Sequence, residues 1–149
     1  GELVFESKRR GYFVALSSSA VLHSMFWTWF IGDQVLVDGF ESVPLLNWCG
    51  ATASAVLIVF VRFYTKHYIQ SIMIFPTGRM TFTMTGMLGG AGRISKRIPS
   101  RLLSAEKAGN YIRVKAEGAK RFWLLDVDKG TFLQTTEKVY QMLNVKSKK

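Results

Sequence analysis

Two long runs without a formal charge leave few folds open to this chain. Gly11 to Gly32 holds 22 consecutive uncharged residues, and Ser42 to Val61 holds another 20. As helices rising about 1.5 Å per residue they reach roughly 33 and 30 Å, which matches a hydrocarbon core of about 30 Å. A helical hairpin buried in a soluble protein would ordinarily keep a solvated stripe on at least one helix. The sequence therefore predicts a transmembrane hairpin over residues 11–64, with spans at 11–32 and 42–62 and an acidic loop at 33–41. Lys8-Arg9-Arg10 ahead of the first run resembles the start of a secretory signal. Its 22 residues exceed the roughly 7–15 of such an apolar region, so the run reads as a retained span.

Charge divides as sharply as hydropathy. Residues 1–64 carry four basic and five acidic side chains, and residues 65–149 carry sixteen and five. Lys8, Arg9 and Arg10 flank the first span, Arg62 and Lys66 flank the second, and the connecting loop holds Asp33, Asp38 and Glu41 with no base. Basic flanks stay on the side from which a membrane is loaded, so an N-terminal segment 1–10 and a basic domain 65–149 are expected on that side. Tyr12 and Phe13, then Trp27, Trp29 and Phe30, then Trp48, Phe63 and Tyr64 sit where interfacial aromatics belong. A monomeric soluble enzyme does not fit this division.

Within the spans, Ala15, Ser19, His23 and Trp27 recur every four residues. Gly50 with Ser54 and Ala51 with Ala55 form two small-xxx-small pairs that let helices approach closely, either each other or a neighbour's helix. His23 is the one ionisable side chain in either span, and an imidazole hydrogen-bonded to a Ser or Thr of the adjacent helix accounts for it without a metal or haem. Cys49 is the single cysteine and has no partner for a disulfide.

After Lys66 the periodicity changes to two. Ile69–Phe75, a Pro76-Thr77-Gly78 turn, and alternation of Met80, Phe82 and Met84 with Thr81, Thr83 and Thr85 predict a hairpin with one apolar face. Gly86 to Gly92 lacks the Gly-Lys-Ser/Thr ending of a phosphate loop and reads as a mobile loop. Arg93, Lys96, Arg97 and Arg101 surround Pro99 in a basic stretch. With the flanking bases Lys8, Arg9, Arg10, Arg62 and Lys66 they form a candidate surface for anionic lipid or a partner. Tyr111–Glu117 and Arg121–Val127 predict two further strands joined at Gly118-Ala119-Lys120. Asp126-Val127-Asp128 fails as a calcium loop, because Gly130 stands where an oxygen ligand is required, and reads as a turn. Thr131 and Gln134 suggest a capping box for a last helix with Phe132, Thr136, Val139, Tyr140 and Leu143 on one face, ahead of a solvated Lys146-Ser147-Lys148-Lys149 tail. The fold class is thus an α+β membrane protein: a two-helix hairpin, a small antiparallel sheet domain and a C-terminal helix.

Several of these segments occur in an order that resembles a known family. They are Val4-Phe5, the helix entry Arg10-Gly11-Tyr12-Phe13, Phe26-Trp27, the acidic loop, Ile112-Arg113-Val114-Lys115, Lys120-Arg121-Phe122-Trp123-Leu124-Leu125-Asp126, and Lys129-Gly130 before a terminal helix. The chain resembles the transmembrane protein 223 family, which is similar to the transmembrane protein 70/186 group, with the strongest likeness over Lys115–Gly130. The resemblance implies the mitochondrial inner membrane, with both termini and the basic domain in the matrix, and a link to cytochrome c oxidase biogenesis. No catalytic residue is carried over. Two departures stand out: Leu22-His23 replaces a polar amide, and Gly39 to Asn47 has no counterpart.

These readings lead to a non-catalytic accessory subunit or assembly component of a respiratory-chain complex, with complex IV foremost and complex I or ATP synthase as alternatives. The hairpin would pack on core subunits, the basic domain would cap the matrix face, and a phospholipid such as cardiolipin would be the bound group, with no cofactor or metal. Tethering of a mitochondrial ribosome or RNA is a second reading, because Tyr111, Phe122 and Trp123 on basic strands could stack on bases. Catalysis ranks last: five scattered carboxylates, His67 and no cysteine make a poor set of acids, bases and nucleophiles for residues 65–149.

Overall fold

The computed structural model describes residues 1–146; Ser147, Lys148 and Lys149 of the basic tail lie outside the described residues. The fold is α+β, with two long apolar helices, antiparallel sheets and a short C-terminal helix. Helix α1 spans Arg10–Asp38 and α2 spans Leu45–His67. Both are long and apolar enough to cross a bilayer by length and composition. They outrun the expected spans, because Asp33 and Asp38 end the hydropathy but not the helix. Gly39, at φ 85°, stops α1, and Pro44 opens α2, leaving only a 3-10 turn at Phe40–Ser42.

The hairpin closes along a heptad seam. Phe13, Ser17, Ala20 and Ile31 are buried, and Ser24 and Trp27 lie between them, so the inward positions of α1 alternate spacings of four and three. That is the 3.5-residue repeat of left-handed helix pairs, and a strict four-residue stripe drifts off it. Ala15, Ser19 and His23 are accordingly exposed, and of that stripe only Trp27 turns inward. On α2 the seam passes through Ser54, Val61 and Thr65. A Cβ at Gly50 would collide with the Trp27 indole, so the glycine is the socket for that ring. At the far end Asn47 Nδ2 donates to Gln34 Oε1 at 2.7 Å.

Where one small sheet is expected, there are two. The first contains β1 (Glu2–Ser7), β2 (Ile69–Ile74), β3 (Arg79–Thr85), β4 (Ala91–Ile94), β5 (Ile98–Pro99) and, after the strands of the second sheet, β9 (Gly130–Phe132). Its order is β4-β3-β2-β1-β9, with β5 also paired to β3. The second contains β6 (Leu103–Ala108), β7 (Tyr111–Ala116), β8 (Phe122–Asp126) and β10 (Val145–Lys146), in the order β10-β6-β7-β8, with β10 parallel to β6. Val4, Phe5, Ile72, Met80 and Phe82 of the first sheet, Ile112, Val114 and Leu125 of the second, and Val139 and Leu143 share one core. Phe82 stacks on Trp123 across it, with centroids 5.3 Å apart.

Several local expectations change on folding. The N-terminal segment is no appendage: β1 lies between β2 and β9, and a bulge near Leu3–Phe5 lets the adjacent Val4 and Phe5 both be buried. Helix α3 (Thr136–Met142) starts later than the proposed capping box, with Thr135 at its N-cap and no side-chain cap. Phe132 belongs to β9 instead, because pairing with β1 outweighs the local helix signal. The glycine segment 86–92 is not a free loop. It turns at Gly86–Gly90, where Gly86 N–H donates to Gly90 O at 2.7 Å, and runs into β4. The Ser17 hydroxyl donates to Met87 O, and Gly89 packs on Arg10 and Val14, so this turn is docked on the start of α1.

Candidate functional site: a basic cleft at the base of the hairpin

The region where both long helices meet the sheets has two polar centres, one structural and one open. The structural centre is built on Arg9, between β1 and α1. Its Nε lies 3.2 Å from Asp126 Oδ2 at the end of β8, and its Nη1 donates to Tyr111 Oη at 3.4 Å. Tyr111 Oη is 3.0 Å from Tyr64 Oη, and Tyr68 Oη is 3.2 Å from Ser7 Oγ. Phe13 meets the Tyr68 ring edge-on at 4.7 Å. Asp126, at the strand-ending turn read from the sequence, is buried, and its Oδ1 accepts the Lys129 N–H at 3.3 Å. Burial by itself would weaken the Arg9 charge, but the Asp126 carboxylate and the Tyr111 hydroxyl hold its pKa above the ordinary arginine value. Burial pushes the Tyr68 hydroxyl up to about 12. These contacts bind the hairpin to both sheets, so the helices and the domain form one body at this end.

The open centre is a cleft of about 830 Å³ between the last two turns of α2, the β3–β4 turn and the β7–β8 connection. Arg62 and Lys66 enter from α2, Arg93 and Lys96 from β4 and the segment after it, and Lys120 and Arg121 from the β7–β8 turn. Met84, Met87, Ile94, Ile98 and Trp123 supply apolar wall, and no carboxylate lines the cavity. The nearby hydroxyls of Thr65 and Ser95 already donate to backbone carbonyls, Thr65 to Val61 O at 2.9 Å and Ser95 to Lys96 O at 3.0 Å. His67 is buried, with Nδ1 2.8 Å from Phe63 O. What the cleft presents is six cations over a greasy wall, which suits an anion carrying an apolar body.

Of the bases expected to form one surface, the fold gathers Arg62, Lys66, Arg93 and Lys96 and disperses the rest. Arg9 is spent on Asp126; Lys8 and Arg10 lie beside it at the head of α1; Arg97 lies over the Phe75 ring at 4.3 Å; Arg101 is exposed in a 3-10 turn. Lys120 and Arg121 were legible only as the end of a turn and the start of a strand, since nothing local relates them to α2.

The small residues divide likewise. Gly50 and Ser54 face α1, Ala51 is half-buried, and Ala55 looks outward with Ala15 and Ser19. His23 does not reach a Ser or Thr of α2, as expected of it; it is exposed beside Trp27, with ring centroids 6.2 Å apart. Comparison with protein-family models and with curated proteins returns no match.

Proposed function

We propose that the protein is a membrane-anchored, non-catalytic accessory or assembly component of a mitochondrial respiratory-chain complex. Cytochrome c oxidase is the first candidate host, and complex I or ATP synthase the alternatives. The observation that carries the anchoring is the outward face of the hairpin. Leu22, Met25, Phe26 and Trp29 of α1 and Val56, Val59, Phe60 and Phe63 of α2 are all exposed, an apolar area that suits lipid tails or neighbouring helices better than water. The outward Ala15, Ser19 and Ala55 leave shallow places where another helix could approach. Both ends of the hairpin meet the basic domain, so one insertion puts the N-terminus and the cap on the same side. The basic flanks favour the side from which the membrane is loaded, which is the matrix if the mitochondrial address implied by the family resemblance holds.

The respiratory-chain assignment rests on the resemblance to the transmembrane protein 223 family and on this architecture. Tethering of ribosome or RNA is the weaker reading. The Tyr111 hydroxyl is bonded to Tyr64, Trp123 is stacked on Phe82, and Phe122 contacts His67 and Arg113, so all three side chains are already engaged within the fold.

The test is native electrophoresis of mitochondria solubilised in mild detergent, with the protein followed by antibody. Co-migration with one respiratory complex or its assembly intermediate is expected; a chain that always migrates free overturns the reading. Protease added to intact mitoplasts should leave the basic domain whole, and its digestion would overturn the orientation.

A further inference from the structure

We propose that the cleft between α2 and the two sheets is a binding site for an acidic phospholipid with a two-phosphate headgroup. The inference deepens the proposed function and rests on its membrane placement. The first ground is charge. Arg62, Lys66, Arg93, Lys96, Lys120 and Arg121 converge on one cavity that no carboxylate lines, whereas the one ion pair among the described residues lies elsewhere, at Arg9–Asp126. Six like charges around one volume repel each other unless an anion sits among them, and they exceed what a single phosphodiester neutralises.

The second ground is position. Arg62 and Lys66 occupy the last two turns of an apolar helix, where a bilayer's headgroups would lie, and bases at that depth are drawn to an anionic leaflet. The third is the wall. Met84, Met87, Ile98 and Trp123 give the cleft an apolar side, and the neighbouring Leu88 stays exposed at the tip of the β3–β4 turn. Phosphates held by the guanidinium and ammonium groups, with acyl chains leaving along the apolar side toward the hairpin, satisfy all three.

The full chain, reconstituted in phosphatidylcholine nanodiscs containing a minor fraction of cardiolipin or of phosphatidylglycerol, is released into detergent and analysed by native mass spectrometry. Retention of cardiolipin above both other lipids is expected. Lys96→Glu with Lys120→Glu, both exposed positions, should reduce that retention by about tenfold or more. Arg62→Gln with Lys66→Gln provides a second, charge-neutralising pair. Lys107→Glu with Lys138→Glu changes net charge equally outside the cleft and should retain lipid as the unaltered chain does. Equal retention of all three lipids, or equal loss in the control pair, overturns the proposal. Displacement of the lipid by inorganic phosphate at matched concentration overturns it in favour of a free-phosphate site. Alkaline carbonate extraction of the unaltered chain separates the two levels. Release into the supernatant sinks the membrane reading itself, whereas a chain that stays membrane-integral yet ignores the cleft substitutions sinks only the lipid site.

Discussion

Arg9 and Asp126 stand 117 positions apart in the sequence and meet at 3.2 Å, joining the entry of the first long helix to the last residue of a strand in the second sheet. Asp126 is buried while Arg9 keeps a quarter of its side chain exposed, so water screens the pair only from one side. Asp126→Asn keeps an acceptor for the Lys129 N–H and strands a partly buried guanidinium. A loss of about 2 kcal/mol is expected, measured by denaturant unfolding in detergent. Combining it with Arg9→Met should recover part of that loss, and simple additivity would show that the two do not act as a pair.

Gly50 and Gly32 make opposite predictions from one chemical change. Gly50→Ala pushes a methyl into the Trp27 ring and should destabilise the hairpin by about 1–3 kcal/mol. Gly32→Ala meets nothing within 4 Å and adds a better helix former, so it should be neutral or stabilising by up to about 1 kcal/mol. Thermal unfolding followed by tryptophan fluorescence distinguishes the two, and equal effects would remove the Trp27 socket.

Alkaline stability should report Tyr68. Its hydroxyl is raised to about 12 in the fold, mainly by burial, from 10 in the unfolded chain. Between those values the unfolded chain sheds the proton first, so the stabilisation is complete below about pH 10 and is lost as pH rises toward 12. The loss amounts to roughly 2 kcal/mol. Tyr68→Phe should flatten that part of the pH profile while costing the contact to Ser7, and an unchanged profile would assign the alkaline transition to another group.

Ser17→Ala removes the hydroxyl that holds the Met87 carbonyl and frees the β3–β4 turn from α1. Global stability should fall by about 1 kcal/mol, and amide exchange should rise mainly over residues 86–92. Uniform acceleration across the sheet would mean that the contact supports the whole domain, not the turn.

The elements with a strong local period were legible from residues alone. Uncharged runs of 22 and 20 residues gave both long helices, and alternation gave β2, β3, β7 and β8, because hydropathy at a fixed period follows from which side chains can share a face. Local signals failed where pairing was non-local. The repeat of four drew attention to Ala15, Ser19 and His23, whereas the seam of 3.5 buries Ser17, Ala20 and Ile31. Thr131 and Gln134 looked like a helix start, yet Gly130–Phe132 pairs with β1, and the Gly130 hydrogens are all that the Phe5 ring leaves room for.

The sequence by itself determined an apolar helical pair, a basic β-rich remainder and the steep charge difference between them, since each follows from composition over a contiguous stretch. Only tertiary structure decided that the first strand sits inside the sheet, that Arg9 is withdrawn from the basic surface by Asp126, and that Lys120 and Arg121 join Arg62 and Lys66 around one cleft. Which bases pair and which remain free depends on distances between segments far apart in the chain, and those distances exist only after the two sheets have closed on a common core.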